Sequence, residues 1–307
     1  MRFCVVSLNP AIDAEWRVED VLWEEKNIVH TQRRWPGGKG VNVARWLKFL
    51  GADSELLIPL GGPAGREMSR GIQALKLSAR VVPLREETRV NVVVTTARGR
   101  QMRFNPPGPV VSAREWQKIL RSVQQVLKRG ASLVLSGALP RGIPPNAYAQ
   151  LIEQAHLAGR QTFLDCDGAA LAIAVKAKPF FVKPNLHELS GWAGRSLRGQ
   201  KATVAAARAL SRVTEGWVLV SLGEEGALLV NARENYCECA RAPRVQVLNT
   251  VGAGDAMLAG AATAVGRGED ASEWLRAAVA AGTAATQSEA GRLPLREVLR
   301  ALRKSIR

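Results

Sequence analysis

Histidine and cysteine are scarce in this chain, and their scarcity removes whole classes of chemistry. Four cysteines (Cys4, Cys166, Cys237, Cys239) are too few and too scattered for a disulfide framework. Cys237 and Cys239 alternate as on a strand, yet the three histidines (His30, His156, His187) stand far from them, so no metal-ligand set is expected there. A reducing, cytoplasmic setting is the simpler expectation. No apolar run reaches the ~18 residues of a membrane span, so none is expected. The opening stretch Met1–Leu8 turns polar at Asn9-Pro10 before a signal-like apolar core develops. Zinc-finger spacing, aromatic RNA-binding motifs, internal repeats and low-complexity segments are also missing. Lys39 follows two glycines, but no Ser or Thr follows it in the frame of a Walker loop.

Among the residues present, positive charge stands out. The formal net charge is +16, against an ordinary hydrophobic share of 47% over 307 residues. The length suits one large α/β domain or one domain with a small appendage. The charge points either to nucleic acid or to a solvated surface that draws in small anions. In the last helix Arg296, Arg300, Arg303 and Arg307 share one face, while Leu295, Val298, Leu299, Leu302 and Ile306 share the other. That pattern predicts a helix docked by its apolar side with the arginines in water.

The most informative stretch is Asn249-Thr250-Val251-Gly252-Ala253-Gly254-Asp255. It opens a small-residue apolar helix. A glycine-built helix start presents unpaired N–H groups at the positive end of the helix dipole, which suits phosphate. Asp255 beside such a cradle has two readings: a base for an attacking hydroxyl, or a helix-start carboxylate that complements the dipole.

Upstream, Phe3–Leu8 reads as a buried first strand, ended by Asn9–Asp13, with Asp13 placed beyond its C-terminal end. Gly37-Gly38-Lys39-Gly40 opens a helix that stops at Gly51. Residues 14–34 mix charges with aromatic and β-branched residues, and Val90–Thr96 with Gln101–Phe104 forms a hairpin pattern. These two segments together predict a small β lid, with Arg89, Asn91, Arg103 and Asn105 nearest a ligand. From residue 106 onward strands and helices alternate. The fold class expected is α/β, a three-layer doubly wound and mainly parallel sheet. Its division would be a core of residues 1–13, 35–87 and 106–307 plus a lid of 14–34 and 88–105. Ligands should gather at the strands' C-terminal ends, near Asp13, Gly137, Asp165, Lys183, Gly223 and Gly252–Asp255.

Seven segments in order make the chain resemble the PfkB (ribokinase-like) carbohydrate kinases, in their 1-phosphofructokinase branch. They are Asn9–Asp13, Gly37–Ala44, Thr88–Asn91, Ser136–Pro140, Val182–Leu189, Val220–Ala227 and Thr250–Asp255. The resemblance implies an ATP- and Mg²⁺-dependent kinase acting on a ketohexose phosphate, with fructose 1-phosphate the first choice and tagatose 6-phosphate or fructose 6-phosphate the alternatives. It implies Asp255 as general base and the amides of Gly252, Ala253 and Gly254 as anion hole. Lys183, Asn185, Ser221, Gly223 and Gly226 would serve ATP, with Val251, Val279 and Ala285 as adenine walls and Glu188 near Mg²⁺ through water. Asp13, Gly38, Lys39 and Asn42 would hold sugar hydroxyls. Arg89 and Lys26 would meet the phosphate already on the sugar, although Glu24-Glu25-Lys26 departs from the branch's usual pattern and leaves Lys26 open as a surface charge. His187 reads as a helix-start residue. A homodimer through the lid is expected. The rival from another class is a nucleic-acid-binding protein on a kinase fold, resting on charge alone.

Overall fold

A computed structural model describes residues 1–306. In chain order the strands are β1 (Arg2–Val6), β2 (Ala11–Val18), β3 (Thr31–Gly37), β4 (Asp53–Leu60), β5 (Ala79–Pro83), β6 (Arg89–Thr96), β7 (Gln101–Phe104), β8 (Ala131–Ser136), β9 (Thr162–Asp165), β10 (Phe181–Val182), β11 (Trp217–Ser221), β12 (Ala227–Asn231) and β13 (Tyr236–Ala240). The helices are α1 (Lys39–Phe49), α2 (Gly62–Ala74), α3 (Ala113–Lys128), α4 (Ala147–Leu157), α5 (Gly168–Ala174), α6 (Leu186–Ala193), α7 (Gly199–Thr214), α8 (Ala253–Gly266), α9 (Ala271–Thr286) and α10 (Arg296–Ser305).

Nine strands form one sheet in the order β13-β12-β11-β10-β9-β8-β1-β4-β5. All neighbours are parallel except β11–β12 and β12–β13. A parallel strand covered on both faces must be apolar throughout, which is why β1 reads as an unbroken run. Its alternation divides the core: Phe3 and Val5 pack with α1, α2, α8, α9 and α10 on one face. Cys4 and Val6 pack with α3, α4 and α7 on the other. The three-layer architecture follows.

Strand order reverses at β1, which lies between β4 and β8. The chain builds outward to β5 on one side and then to β13 on the other. The crevice at such a reversal, at the strands' C-terminal ends, is where an α/β sheet leaves room for a ligand.

A second sheet, in the order β3-β2-β6-β7, covers that crevice. Its strands extend beyond the expected segments: β2 starts at Ala11 and β3 runs through Pro36 to Gly37. Asp13 therefore sits within a strand, not in a turn after β1. Pro36 is tolerated because β3 is an edge strand, where a missing N–H breaks no ladder.

Helix α10 keeps Arg296 and Arg300 exposed as expected, but departs from the expected pattern at Arg303 and Leu295. Arg303 bonds both Glu269 and Glu273, the latter at 2.8 Å. Arg296 lies over the Phe49 ring at 5.6 Å. Leu295, expected on the docked side, is 72% exposed, while Leu302 and Ile306 are buried. Arg307 lies outside the described residues. No helix among the described residues is long and apolar enough to cross a membrane.

Candidate active site

A cavity of about 490 Å³ lies between the large sheet's strand ends and the small sheet. On the large-sheet side its charge centre is Asp165, the last residue of β9 and only 1% exposed. Lys39 Nζ and Lys183 Nζ each stand 3.2 Å from one of its carboxylate oxygens. Lys39 also lies 3.6 Å from Glu188 Oε1. Burial alone would raise the Asp165 carboxyl, but the Lys183 and Lys39 ammoniums outweigh it and hold it below the usual carboxylate range. For Lys39 burial works against the charge, yet Asp165, Glu188 and Asp255 together keep it protonated above its ordinary range.

Two ammoniums are thus matched by Asp165 and Glu188, and the buried Asp255 has no ion-pair partner within 4.0 Å among the described residues. It sits in the first turn of α8, 5% exposed, and accepts from Asn42 Nδ2 at 2.8 Å. Burial, and next the charge of Asp165, push its carboxyl up to about 7; the Asn42 hydrogen bond and both lysines oppose this. A carboxylate tuned so close to neutrality is suited to taking a proton.

The turn before Asp255 depends on Gly252, whose φ of 83° lies in the left-handed region. The amides of Gly252 and Gly254 have no acceptor among the described residues, whereas Ala253 N–H makes a long 3.4 Å contact to Thr250 O. A Cβ at Gly254 would stand 3.2 Å from Lys183 Nζ, so the ammonium adjoins the helix start directly. Donors and cation converge on one small volume, an arrangement suited to an anion.

Strand register builds the small-sheet side. Asp13 pairs with Trp35 on β3 and with Asn91 on β6; Glu15 pairs with Arg33 and Val93, and Val93 with Arg103. Because cross-strand partners share a face, these side chains form two rows. Asn91 Nδ2 donates to Asp13 Oδ1 at 2.9 Å. Burial raises the Asp13 carboxyl against the opposing pull of Asn91, Arg89, Gly38 and Arg45. Gly37 must be glycine, since a Cβ there would fall 2.0 Å from Asp13 Oδ2. Arg89 spends two nitrogens on backbone carbonyls, those of Pro106 (2.9 Å) and Asn9 (3.0 Å). Its Nε and Asn91 Oδ1 are buried without a partner.

Asp13, Gly38, Lys39, Asn42, Arg89, Asn91, Arg103, Asn105, Lys183, Asn185, Glu188, Ser221, Val251, Gly252, Gly254 and Asp255 all line the cavity. Asn185 caps α6 in a reciprocal capping box: Glu188 N–H donates to Asn185 Oδ1, and Asn185 N–H to Glu188 Oε2, both at 2.8 Å. Glu188 therefore offers chiefly Oε1 to a ligand.

Several expected residues are elsewhere. Lys26 is exposed in the β2–β3 connection and does not reach the cavity; His187 stands in the first turn of α6, the helix-start place expected of it. Val279 is 2% exposed inside α9, in the core. Ala285 borders a smaller space of about 40 Å³ that adjoins the main cavity and shares Asp13, Asn42, Val251 and Gly252 with it. Gly223 and Gly226 form a turn outside the cavity; Gly226 is required because a Cβ would fall 2.0 Å from Ala240 O. Conversely, Glu15, Trp35, Gln101, Asp167 and Ala290 line the cavity with no signal in the sequence that marks them. The one sequence signal of Asp165 is its place at a strand's end.

A model of the pfkB family carbohydrate kinases matches residues 3–297. The 1-phosphofructokinase of Escherichia coli (strain K12) is 35% identical over 295 residues, covering 94% of this chain and 93% of that one. The 1-phosphofructokinase of Rhodobacter capsulatus is 35% identical over 308 residues, covering 100% and 97%. The crystal structure of phosphofructokinase-2 from Escherichia coli in complex with fructose-6-phosphate superposes with a TM-score of 0.90 at 29% identity, covering 99% of this chain and 98% of that one. With a helix-start cradle, a neutral-poised acid and twin lysines already in one cavity, the chain belongs to the pfkB family of carbohydrate kinases, enzymes that use ATP.

Proposed function

We propose that the protein transfers the γ-phosphoryl group of ATP to fructose 1-phosphate, giving fructose 1,6-bisphosphate. The observation that carries this reading is Asp255, buried with a carboxyl near pKa 7 at the start of a glycine-opened helix. Asp255 takes the proton of the sugar's attacking hydroxyl. The amides at Gly252–Gly254 and the Lys183 ammonium receive the charge on the migrating phosphoryl group. Lys39, Asn42 and Asp13 hold sugar hydroxyls, and Asn91 fixes the Asp13 carboxylate.

The phosphate already on the sugar belongs at Arg89, whose unpartnered Nε is the group left to receive an oxygen. Arg103, on the same cavity wall, adds charge. Lys26 takes no part within one chain. Adenine lies beside Val251, which is 43% exposed. Ser221, Asn185 and the Gly223–Gly226 turn border the nucleotide.

Among the described residues no cluster of three or more His, Cys, Asp or Glu side chains could cage a metal. The cavity's oxygen donors, Glu188 and Asp167, fit a Mg²⁺ ion held mainly by nucleotide phosphates and water. When bound, Mg²⁺ would neutralise phosphate charge.

We assign the small sheet the role of a lid over the sugar and of a dimer contact. Leu22, Trp23 and Ile28 in its β2–β3 connection and Phe104 on β7 are each more than half exposed, which favours burial against a second copy. A monomer at micromolar concentration in solution scattering would exclude that dimer. All four thiols are unpaired, in keeping with a reducing compartment.

The likeness to a phosphofructokinase-2 crystallised with fructose-6-phosphate favours fructose 6-phosphate as second reading. Comparing kcat/KM for fructose 1-phosphate, fructose 6-phosphate and tagatose 6-phosphate separates them. Fructose 1-phosphate should lead by at least about tenfold, or ~1.4 kcal/mol of transition-state preference; a lead for another sugar replaces the assignment.

A further inference from the structure

A second cavity, of about 220 Å³, opens where the end of α1, the latter half of α8, α9 and α10 meet. None of its lining residues borders the Asp255 cavity. Its walls are apolar: Phe49 and Leu50 from α1, Ala264 from α8 and Leu299 from α10. Around them stand four arginines, Arg267, Arg296, Arg300 and Arg303.

The four guanidiniums are not equivalent. Arg267 caps the end of α1 by donating to Leu50 O at 2.8 Å, and Arg303 is committed to Glu269 and Glu273. These two are structural and explain themselves. Arg296 and Arg300 have no carboxylate within 4.0 Å and no hydrogen-bond acceptor among the described residues. They stand one turn apart on α10, a spacing at which like charges destabilise a helix. Arg296 is held over the Phe49 face, which aims its planar fork instead of leaving it to wander. Apart from the Phe49 contact of Arg296, this pair at the rim of an apolar-floored space has nothing among the described residues to offset its repulsion. An anion seated between them would remove the repulsion and supply bidentate acceptors.

We propose that this cavity is a second anion site, for a small phosphate ester of about triose size. The space is too small for a nucleotide, since sites for drug-sized ligands start near ~300 Å³. The phosphate takes the two free guanidiniums, and the short carbon chain lies on Phe49 and Leu299. The far wall is α8, the helix whose first turn carries Asp255.

The test is calorimetric titration with glycerol 3-phosphate, and separately with inorganic phosphate, on enzyme whose main cavity is saturated with a non-hydrolysable ATP analogue and fructose 1-phosphate. One further site should appear, with glycerol 3-phosphate the tighter of the two, and Arg296→Ala/Arg300→Ala should weaken it at least about tenfold. Both positions are exposed and outside the Asp255 cavity, so the double variant should keep wild-type kcat, which also verifies that it folds. Absence of a further site up to about 10 mM ligand, or equal affinity in the double variant, overturns the proposal. Tighter binding of inorganic phosphate than of the ester would overturn the part assigned to the apolar floor.

Discussion

The two walls of the main cavity solve the same problem differently. On the large-sheet side the charged side chains satisfy one another, while the Gly252 and Gly254 amides stay open: Asp165 holds both lysines, Glu188 closes a capping box, and Asn42 steadies Asp255. On the small-sheet side polar atoms are left over, including Arg89 Nε and Asn91 Oδ1. A wall whose members already bond each other is set before substrate arrives. A wall with unspent buried donors and acceptors is completed by what binds. The first therefore governs the chemical step, and the second governs recognition of the sugar phosphate.

If that division holds, variants should separate by which constant they change. The largest effect belongs to Asp255→Asn, which keeps shape and removes the base; kcat should fall ~10²-fold or more while ATP still binds. Next is Asp165→Asn. It strips two lysines of a shared, fully buried partner, so kcat should fall ~10- to 100-fold and the melting temperature should drop as well, since an unpaired buried charge costs several kcal/mol. Arg89→Ala should raise KM for fructose 1-phosphate about tenfold, and KM for ATP less than about twofold. A matching rise in both would erase the contrast between the walls. The smallest effect is expected of Lys26→Ala, under about twofold in any constant, because within one chain the side chain is exposed outside the cavity; a larger rise in KM for the sugar phosphate would mean that Lys26 reaches the site of a second copy.

The same comparison has a stability side. The Asp255 carboxyl is raised from 3.8 to about 7 in the fold, so its contribution to stability is complete below about pH 3.8 and is lost as pH rises through about 7. Asp255→Asn should accordingly melt higher than wild type at pH 8, with the gap narrowing toward pH 5. A lower melting temperature at pH 8 would mean that Lys39 and Lys183 stabilise the anion more than burial penalises it.

Legibility in the sequence followed the same division. Gly252–Asp255, Lys183–Glu188 and Gly38–Asn42 are contiguous motifs at helix starts, where function and chain order coincide, and their convergence could be read directly. Asp13 was readable as a site residue but not as a strand residue. Its hydrogen-bond partner Asn91 is 78 positions away, and nothing local reveals a parallel pairing of that span. Asp165 was hidden for a related reason: a carboxylate ending an apolar strand shows its importance only once Lys39 and Lys183 are known to flank it. Gly226 and Val279 show the converse, since each has a packing reason to stand where it does. Packing against Ala240 O accounts for the first and core burial for the second, and a motif cannot separate those causes from ligand contact.

The claim on which the account rests is that one buried acid, poised near neutrality, drives the transfer. The direct measurement is the pH dependence of kcat/KM for fructose 1-phosphate in wild type and in Asp255→Asn. Wild type should show a rising limb centred near pH 7, the value to which burial lifts this carboxyl, and the variant's residual activity should lack that limb. A limb of the same midpoint surviving in the variant, or a wild-type profile flat from about pH 5.5 to 8.5, would contradict it.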